Sequence, residues 1–280
     1  MKIAVLADIH SNTRAFEKCL DDALKCGARE FWFLGDYCGD LSGVKQTMTM
    51  LYKVASAYPC TFIRGNKEDY WLGDENSRSD WRYGNDSTGT LLYTYDNLTE
   101  KDLKFFSSLP ISTVKNGGQI LLCHGRPNDN RRSLKDDETT LEIMESSGAP
   151  FIICGHTHKR MCLKHKGVTL LNPGSVGVSF NAKKVEYLLL DINDGQLEYE
   201  FKTLDYDVKG AIDEMYSSGL YDVAPCWARS TISILKYGVP DKPTVVNSVL
   251  SLAKARYGIT EYNKVPEDCW LDGLKELGIE

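Results

Sequence analysis

At 280 residues with 42% hydrophobic content, the chain can hold one large domain and a sizeable core, or one domain with a small appendage. A formal net charge of −6 argues against a general binder of nucleic acid or anionic membranes, so an acidic substrate must be held by local cations or metal. No stretch approaches transmembrane length, the N-terminal apolar run is too short for a signal peptide, and the nine scattered cysteines form no C-x-x-C pair; a reduced, cytoplasmic protein with no membrane and no stable nucleic-acid partner is expected.

The run Ile3-Ala4-Val5-Leu6-Ala7 lacks alternation and reads as a strand buried on both faces, ending in Asp8-Ile9-His10. Ser11 or Asn12 can cap a helix to about Cys26, ended by Gly27. A second buried strand, Phe31 to Leu34, runs into Gly35-Asp36-Tyr37; a helix over 44–57 follows, and a third strand, Cys60 to Ile63, ends in Arg64-Gly65-Asn66-Lys67-Glu68. Such strand–helix units predict a layered α/β sheet with a site at the strands' carboxyl edge. Residues 69–90, with Trp71, Trp81, Tyr83, Arg78 and Arg82 among Asp, Asn, Ser and Gly, read as a long irregular segment that is either a binding loop or a surface insertion. Helices near 90–96 and 100–108 come next.

Two further buried runs lead into polar turns, Ile120 to Cys123 into His124-Gly125-Arg126, and Phe151 to Cys154 into Gly155-His156-Thr157-His158, with an acidic helix near 137–147 between them. Strand-like runs at 160–163, 168–171, 185–191 and 196–203 have hairpin spacing and predict a second, more antiparallel sheet. From Tyr206 the pattern is helical, over 208–218, 227–237, 245–257 and 267–277.

Of the five histidines, His10, His124, His156 and His158 lie directly after buried strand-like runs, while Asp8, Asp36 and Asn66 occupy equivalent positions. A lone histidine at a strand end is usually a satisfied polar residue. Seven ligand-type residues on five such edges are hard to explain as packing. Carboxylate, imidazole and amide donors without thiolate suit manganese, iron, zinc, cobalt or nickel better than magnesium alone.

Asp8-x-His10, Gly35-Asp36, Gly65-Asn66-x-Glu68, His124 and Gly155-His156-x-His158, in this order, resemble the motifs of the calcineurin-like metallophosphoesterases over about residues 1–205. The turns at 8–12, 35–39 and Asn172-Pro173-Gly174-Ser175 are similar to its small bacterial branch of phosphodiesterases and diadenosine-tetraphosphatase-like proteins. The resemblance implies two stacked mixed β-sheets flanked by helices, a catalytic domain over 1–205 and a helical C-terminal extension over 206–280. It also implies two divalent transition-metal ions, one held by Asp8, His10, Asp36 and His158, the other by Asn66, His124 and His156 with Asp36 bridging. The implied reaction is in-line attack of a metal-bridging hydroxide on phosphorus.

One position departs from the pattern. Where the family commonly has a histidine after the asparagine, this chain has Lys67, a fixed cation and a poor proton donor. Good leaving groups are therefore favoured, which tilts the expectation toward hydrolysis of small nucleotide-like phosphoanhydrides such as dinucleoside polyphosphates. The alternatives are a phosphodiesterase for cyclic nucleotides or other activated diesters, and a catalytically silent metal-binding scaffold. Trp81, Arg82, Arg126 and Asn12 are candidate substrate contacts, with helix capping the competing role for Asn12. The apolar faces of the tail predict a cap on the site's rim, a homodimer interface, or packing away from the site.

Overall fold

The computed structural model describes residues 1–74, 76–193 and 196–279; residue 75 of the 69–90 segment and residue 280 of the extension lie outside it. Two five-stranded sheets face each other. The first has strand order β10-β9-β1-β2-β3, where β1 is Lys2–Leu6, β2 Glu30–Phe33, β3 Cys60–Phe62, β9 Lys184–Asn193 and β10 Gln196–Asp205. The second has order β4-β5-β6-β8-β7, from Ser112–Lys115, Ile120–Cys123, Phe151–Ile153, Val168–Asn172 and Met161–His165 for β4, β5, β6, β8 and β7.

The unbroken apolar runs follow from this stacking, because each central strand has two covered faces. Ile3, Val5 and Ala7 meet Ile120, Leu122, Ile153 and Leu171 between the sheets. Ala4 and Leu6 point the other way, onto the helices α1 (Thr13–Lys25) and α2 (Val44–Ala57). On the far side, Leu121, Cys123 and Ile152 pack with Met144 of α6 (Glu138–Ser146). The result is four layers, helix on sheet on sheet on helix.

The β1, β2 and β3 strands are parallel to one another, as are β5, β6 and β8, so the carboxyl ends that carry the polar motifs gather along one seam. The four later strand-like runs do not form a sheet of their own. The β7/β8 hairpin extends the second sheet by pairing β8 with β6, whereas β9 pairs antiparallel with β1 and brings β10 into the first. The 69–90 segment is preceded and entered by α3 (Asn66–Leu72), and is followed by α4 (Gly89–Asn97) and α5 (Glu100–Ser108).

After β10 come α7 (Val208–Ser217), α8 (Leu220–Val223), α9 (Pro225–Tyr237), α10 (Lys242–Tyr257) and α11 (Glu267–Glu276). The first three pack on Leu41 and Val178, close to the seam. Trp227 of α9, Val245 and Val249 of α10, and Trp270 and Leu274 of α11 form a separate apolar cluster. Among the described residues, no helix is long and apolar enough to cross a membrane.

Candidate metal centre

Each motif leaves its strand through a tight turn, and the backbone there is unusual. Asp8, His10, Asp36, His156 and His158 all have positive φ, between 48° and 69°. An L-residue in this region costs about 1–3 kcal/mol, so the fold must impose it; strain of this kind concentrates at functional sites. Glu68 holds two of these turns together. Its buried carboxylate accepts backbone N–H bonds from Asp36 (3.0 Å), Tyr37 (2.9 Å) and Gly65 (2.8 Å). Gly65 is needed at this point because a Cβ there would collide with Asp36 and Glu68.

The side chains converge in two groups. In the first, His10 Nε2 lies 3.0 Å from His158 Nε2, His158 Nε2 lies 3.6 Å from Asp8 Oδ1, and His10 Nε2 lies 3.7 Å from Asp36 Oδ2. In the second, Asn66 Oδ1 lies 3.0 Å from His124 Nε2 and 2.8 Å from His156 Nδ1, and His124 Nε2 lies 3.4 Å from Asp36 Oδ1. The two oxygens of Asp36 thus face different groups. The seven residues singled out at strand ends are brought together.

The surroundings prepare these atoms as donors. The His124 Nδ1–H donates to the Leu34 carbonyl at 2.7 Å and the His158 Nδ1–H to the Val178 carbonyl at 2.8 Å, which leaves each Nε2 lone pair aimed inward. Burial lowers His124, His156 and His158 to about 4 and His10 well below its ordinary value, so the imidazoles are neutral at physiological pH. Burial raises Asp8 well above the usual carboxylate range, with Asp36 adding to the effect, and burial raises Asp36 too. Two enclosed carboxylates amid neutral imidazoles are short of positive charge. That deficit, with two compact sets of carboxylate and imidazole donors, Asp8, His10 and His158 in one and Asp8, Asp36 and His124 in the other, fits divalent metal ions.

A family model described as the calcineurin-like phosphoesterase superfamily domain matches residues 1–195. The chain belongs to that superfamily. A curated relative, the uncharacterized protein MJ0912 of Methanocaldococcus jannaschii, is 26% identical, covering 78% of this chain and 93% of its own. Among solved structures, a metallophosphoesterase from Sphaerobacter thermophilus superposes with a TM-score of 0.68 at 21% identity, over 85% of this chain and 100% of that one. The hypothetical protein PH1004 from Pyrococcus horikoshii gives a TM-score of 0.70 at 20% identity, over 86% and 99%. These likenesses establish the metallophosphoesterase fold, a fold of metal-dependent phosphoesterases, with candidate ligand groups for divalent ions present here.

Above the two groups lies a cavity of about 600 Å³, lined on the metallophosphoesterase side by His10, Asp36, Asn66, His156 and His158. The candidate substrate contacts are placed elsewhere. Asn12 caps α1, accepting from the Ala15 N–H, and donates to the Gly177 carbonyl and Tyr206 hydroxyl. Arg126 is folded into a tight loop and donates to the Ser133 carbonyl. Trp81 packs edge-on against Tyr95, and Arg82 is exposed. None of the four lines the cavity.

Lys67 does line it, and its ammonium pairs with the buried Asp40 at 3.4 Å. Burial alone would lower the Lys67 pKa, but Asp40 and Asp36 hold it above its ordinary value. Asp40 is a residue that sequence reasoning passed over, although it stands next to the Gly35–Gly39 motif. It faces His10 Nδ1 at 3.8 Å and accepts from the Trp227 indole N–H at 3.1 Å. Burial opposes its ionisation, yet Lys67 and Lys242 keep it well below the usual carboxylate range. Trp227, Asp241, Lys242 and Pro243 of the C-terminal helical region also line the cavity; no local pattern announces this, because it arises from packing between distant segments. A second hollow of about 770 Å³, beside Tyr206, Asp207 and Tyr237, gathers no histidine and lies apart from these groups.

Proposed function

We propose that the protein is a two-metal phosphohydrolase acting on a small nucleotide-like substrate, with phosphoanhydrides such as dinucleoside polyphosphates favoured over unactivated diesters. The observation that carries this reading is Asp36, whose Oδ2 faces His10 and whose Oδ1 faces His124, as a bridging ligand requires. Asp8, His10, Asp36 and His158 would hold one ion, and Asn66, His124, His156 and Asp36 the other. When bound, such a pair supplies Lewis acidity at phosphoryl oxygens and lowers the pKa of water toward neutrality.

The chain's own residues do the rest. The backbone N–H of His156 donates to the Asp8 carboxylate at 3.1 Å and that of Lys67 to Asp36 Oδ1 at 2.9 Å, fixing both carboxylates against rotation. His124 and His158 are held by carbonyls as single tautomers, so their inward nitrogens need no reorganisation. Lys67 offers a permanent positive charge at the cavity wall. Held protonated by Asp40 and Asp36, it is a poor donor of a proton to a departing alkoxide, which supports substrates whose leaving group is already stable as an anion.

Metal analysis of the purified protein, followed by assays on dinucleoside polyphosphates, cyclic nucleotides, phosphomonoesters and bis(4-nitrophenyl) phosphate, tests the reading. Two bound equivalents and turnover of the anhydrides above the unactivated esters are expected. No hydrolysis of any of them with manganese, iron, zinc, cobalt or nickel would leave the fold as a silent scaffold.

A further inference from the structure

The cavity of about 600 Å³ is large enough for a nucleotide-sized ligand. Five cationic side chains line it: Lys67, Lys135, Lys159, Arg160 and Lys242. Three of them have carboxylate partners, Lys67 with Asp40 at 3.4 Å, Lys159 with Asp241 at 3.1 Å and Arg160 with Glu186 at 3.1 Å. Among the described residues, Lys135 and Lys242 form no such pair.

Lys242 is the more informative of the two. It is the first residue of α10. Its ammonium donates to Ser230 Oγ at 2.9 Å, to Thr231 Oγ1 at 2.6 Å and toward the Trp227 carbonyl at 3.4 Å, and it sits 3.7 Å from the centre of the Trp227 ring. All of these partners are neutral. They fix the ammonium in position without compensating its charge. Nor do they need it, since the Ser230 and Thr231 hydroxyls already donate to the Trp227 carbonyl at 2.7 and 3.0 Å. Burial pulls Lys242 down to about 7, against the opposing pull of Asp40. A cation enclosed at some expense to stability, whose direct contacts are all neutral and whose carboxylate neighbour Asp40 is already paired with Lys67 at 3.4 Å, points to an anion that enters the cavity.

We propose that Lys242, together with Lys135 from the loop before α6, forms a second anion subsite that selects phosphorylated substrates carrying a further anionic group beyond the one hydrolysed. This rests on the phosphohydrolase reading and narrows its substrate class to polyphosphates and bisphosphates. It also gives the C-terminal helices a task, since α9 and α10 build the wall that the second group meets.

The test compares thymidine 5′-(4-nitrophenyl phosphate) with the same ester bearing a 3′-phosphate. Scissile bond and leaving group are identical, so the ratio of the two kcat/KM values isolates the remote charge. Wild type is expected to prefer the 3′-phosphorylated ester by roughly tenfold. Lys242→Met should bring the ratio close to one, mainly through KM; Lys242→Arg should retain most of it, and Lys135→Met should reduce it in part. The thermal midpoint of Lys242→Met near neutral pH is expected to match or exceed that of wild type.

Equal handling of the two esters by wild type, or an undiminished ratio in Lys242→Met, overturns the subsite. A lowered midpoint with the ratio intact would make Lys242 a strut between α9 and α10. If metal-loaded wild type hydrolyses neither ester nor any of the anhydrides, cyclic nucleotides and monoesters named above, the phosphohydrolase reading falls and takes the subsite with it. If it hydrolyses both alike, the subsite alone falls.

Discussion

Asp36 is where the chemistry is most exposed to a single substitution. Asparagine has nearly the same shape, but it removes the charge shared between the His10 side and the His124 side. Removing an outer partner of a metal ligand typically costs 10–100-fold, and a bridging ligand should cost no less. Asp36→Asn is therefore expected to lose at least about a hundredfold in kcat and to retain fewer metal equivalents, with His124→Ala behaving alike. Full activity with two equivalents in both variants would contradict the paired arrangement. Lys242 lends itself to a test by pH. Its folded value of about 7 lies below its ordinary 10.5, and the charged groups that face it are Asp40, Lys67 and Asp86. Below about pH 7 the side chain is charged in both folded and unfolded chains, and the folded state bears the whole burden of enclosing it. Between there and about 10.5 the unfolded chain binds more protons, so this contribution to stability improves as pH rises. The midpoint advantage of Lys242→Met over wild type should then be greatest at or below neutrality and shrink toward pH 10, measured by thermal unfolding at fixed ionic strength. An advantage that grows with pH would contradict the assignment.

At the scale of elements, what was legible followed from local rules. Asn12 caps α1, and α2 and α5 begin and end where their apolar spacing and breakers place them. The seven strand-end residues were legible because each follows an unbroken apolar run, and runs of that kind end at one edge of a layered sheet. The positive φ at five of them was not legible, because aspartate and histidine tolerate that conformation without requiring it. The partition of the late hairpins also escaped. The β7/β8 and β9/β10 runs look alike in sequence, and only pairing with β6 or with β1 assigns them to different sheets. Lys242 and Asp40 are some two hundred positions apart, and no periodicity links them. The aromatic segment after α3 is a related case. Its Trp81 packs on Tyr95, and its later residues grip the C-terminal helices: Asp86 accepts from the Trp227 N–H at 2.8 Å and Ser87 from the Trp270 indole at 3.1 Å. Trp81→Ala should accordingly lower stability by about 2 kcal/mol, as for a half-buried aromatic, and leave nucleotide KM within about twofold. A tenfold rise in KM at unchanged stability would favour the binding loop over the surface insertion.

For the whole molecule, the open question is what the C-terminal helices add. Their apolar faces suggested a cap, a dimer interface or simple packing. The faces of α10 and α11 that carry Val245, Val249, Trp270 and Leu274 are covered by the same chain, against Trp227 of α9. Those four side chains are therefore not surface for a second copy, whereas Tyr216, Tyr257 and Leu271 of the same helical region stay exposed. A chain ending at Gly238 would keep α9 while stripping the apolar partners from Trp227, and would delete Lys242, so loss of fold and loss of a cavity wall would be confounded. Trp270→Ala is the cleaner probe. Trp270 is fully buried, stacks edge-on against Trp227 at 5.9 Å and lies outside the cavity lining. Its removal should cost about 3–5 kcal/mol and loosen α11 beneath the wall that carries Trp227 and Lys242. Two readings then separate at a temperature well below the variant's midpoint. If the extension shapes specificity, the preference for the 3′-phosphorylated ester should fall more steeply than hydrolysis of the ester without it. If the extension is only a buttress, both rates should decline together, in step with the fraction unfolded followed by circular dichroism.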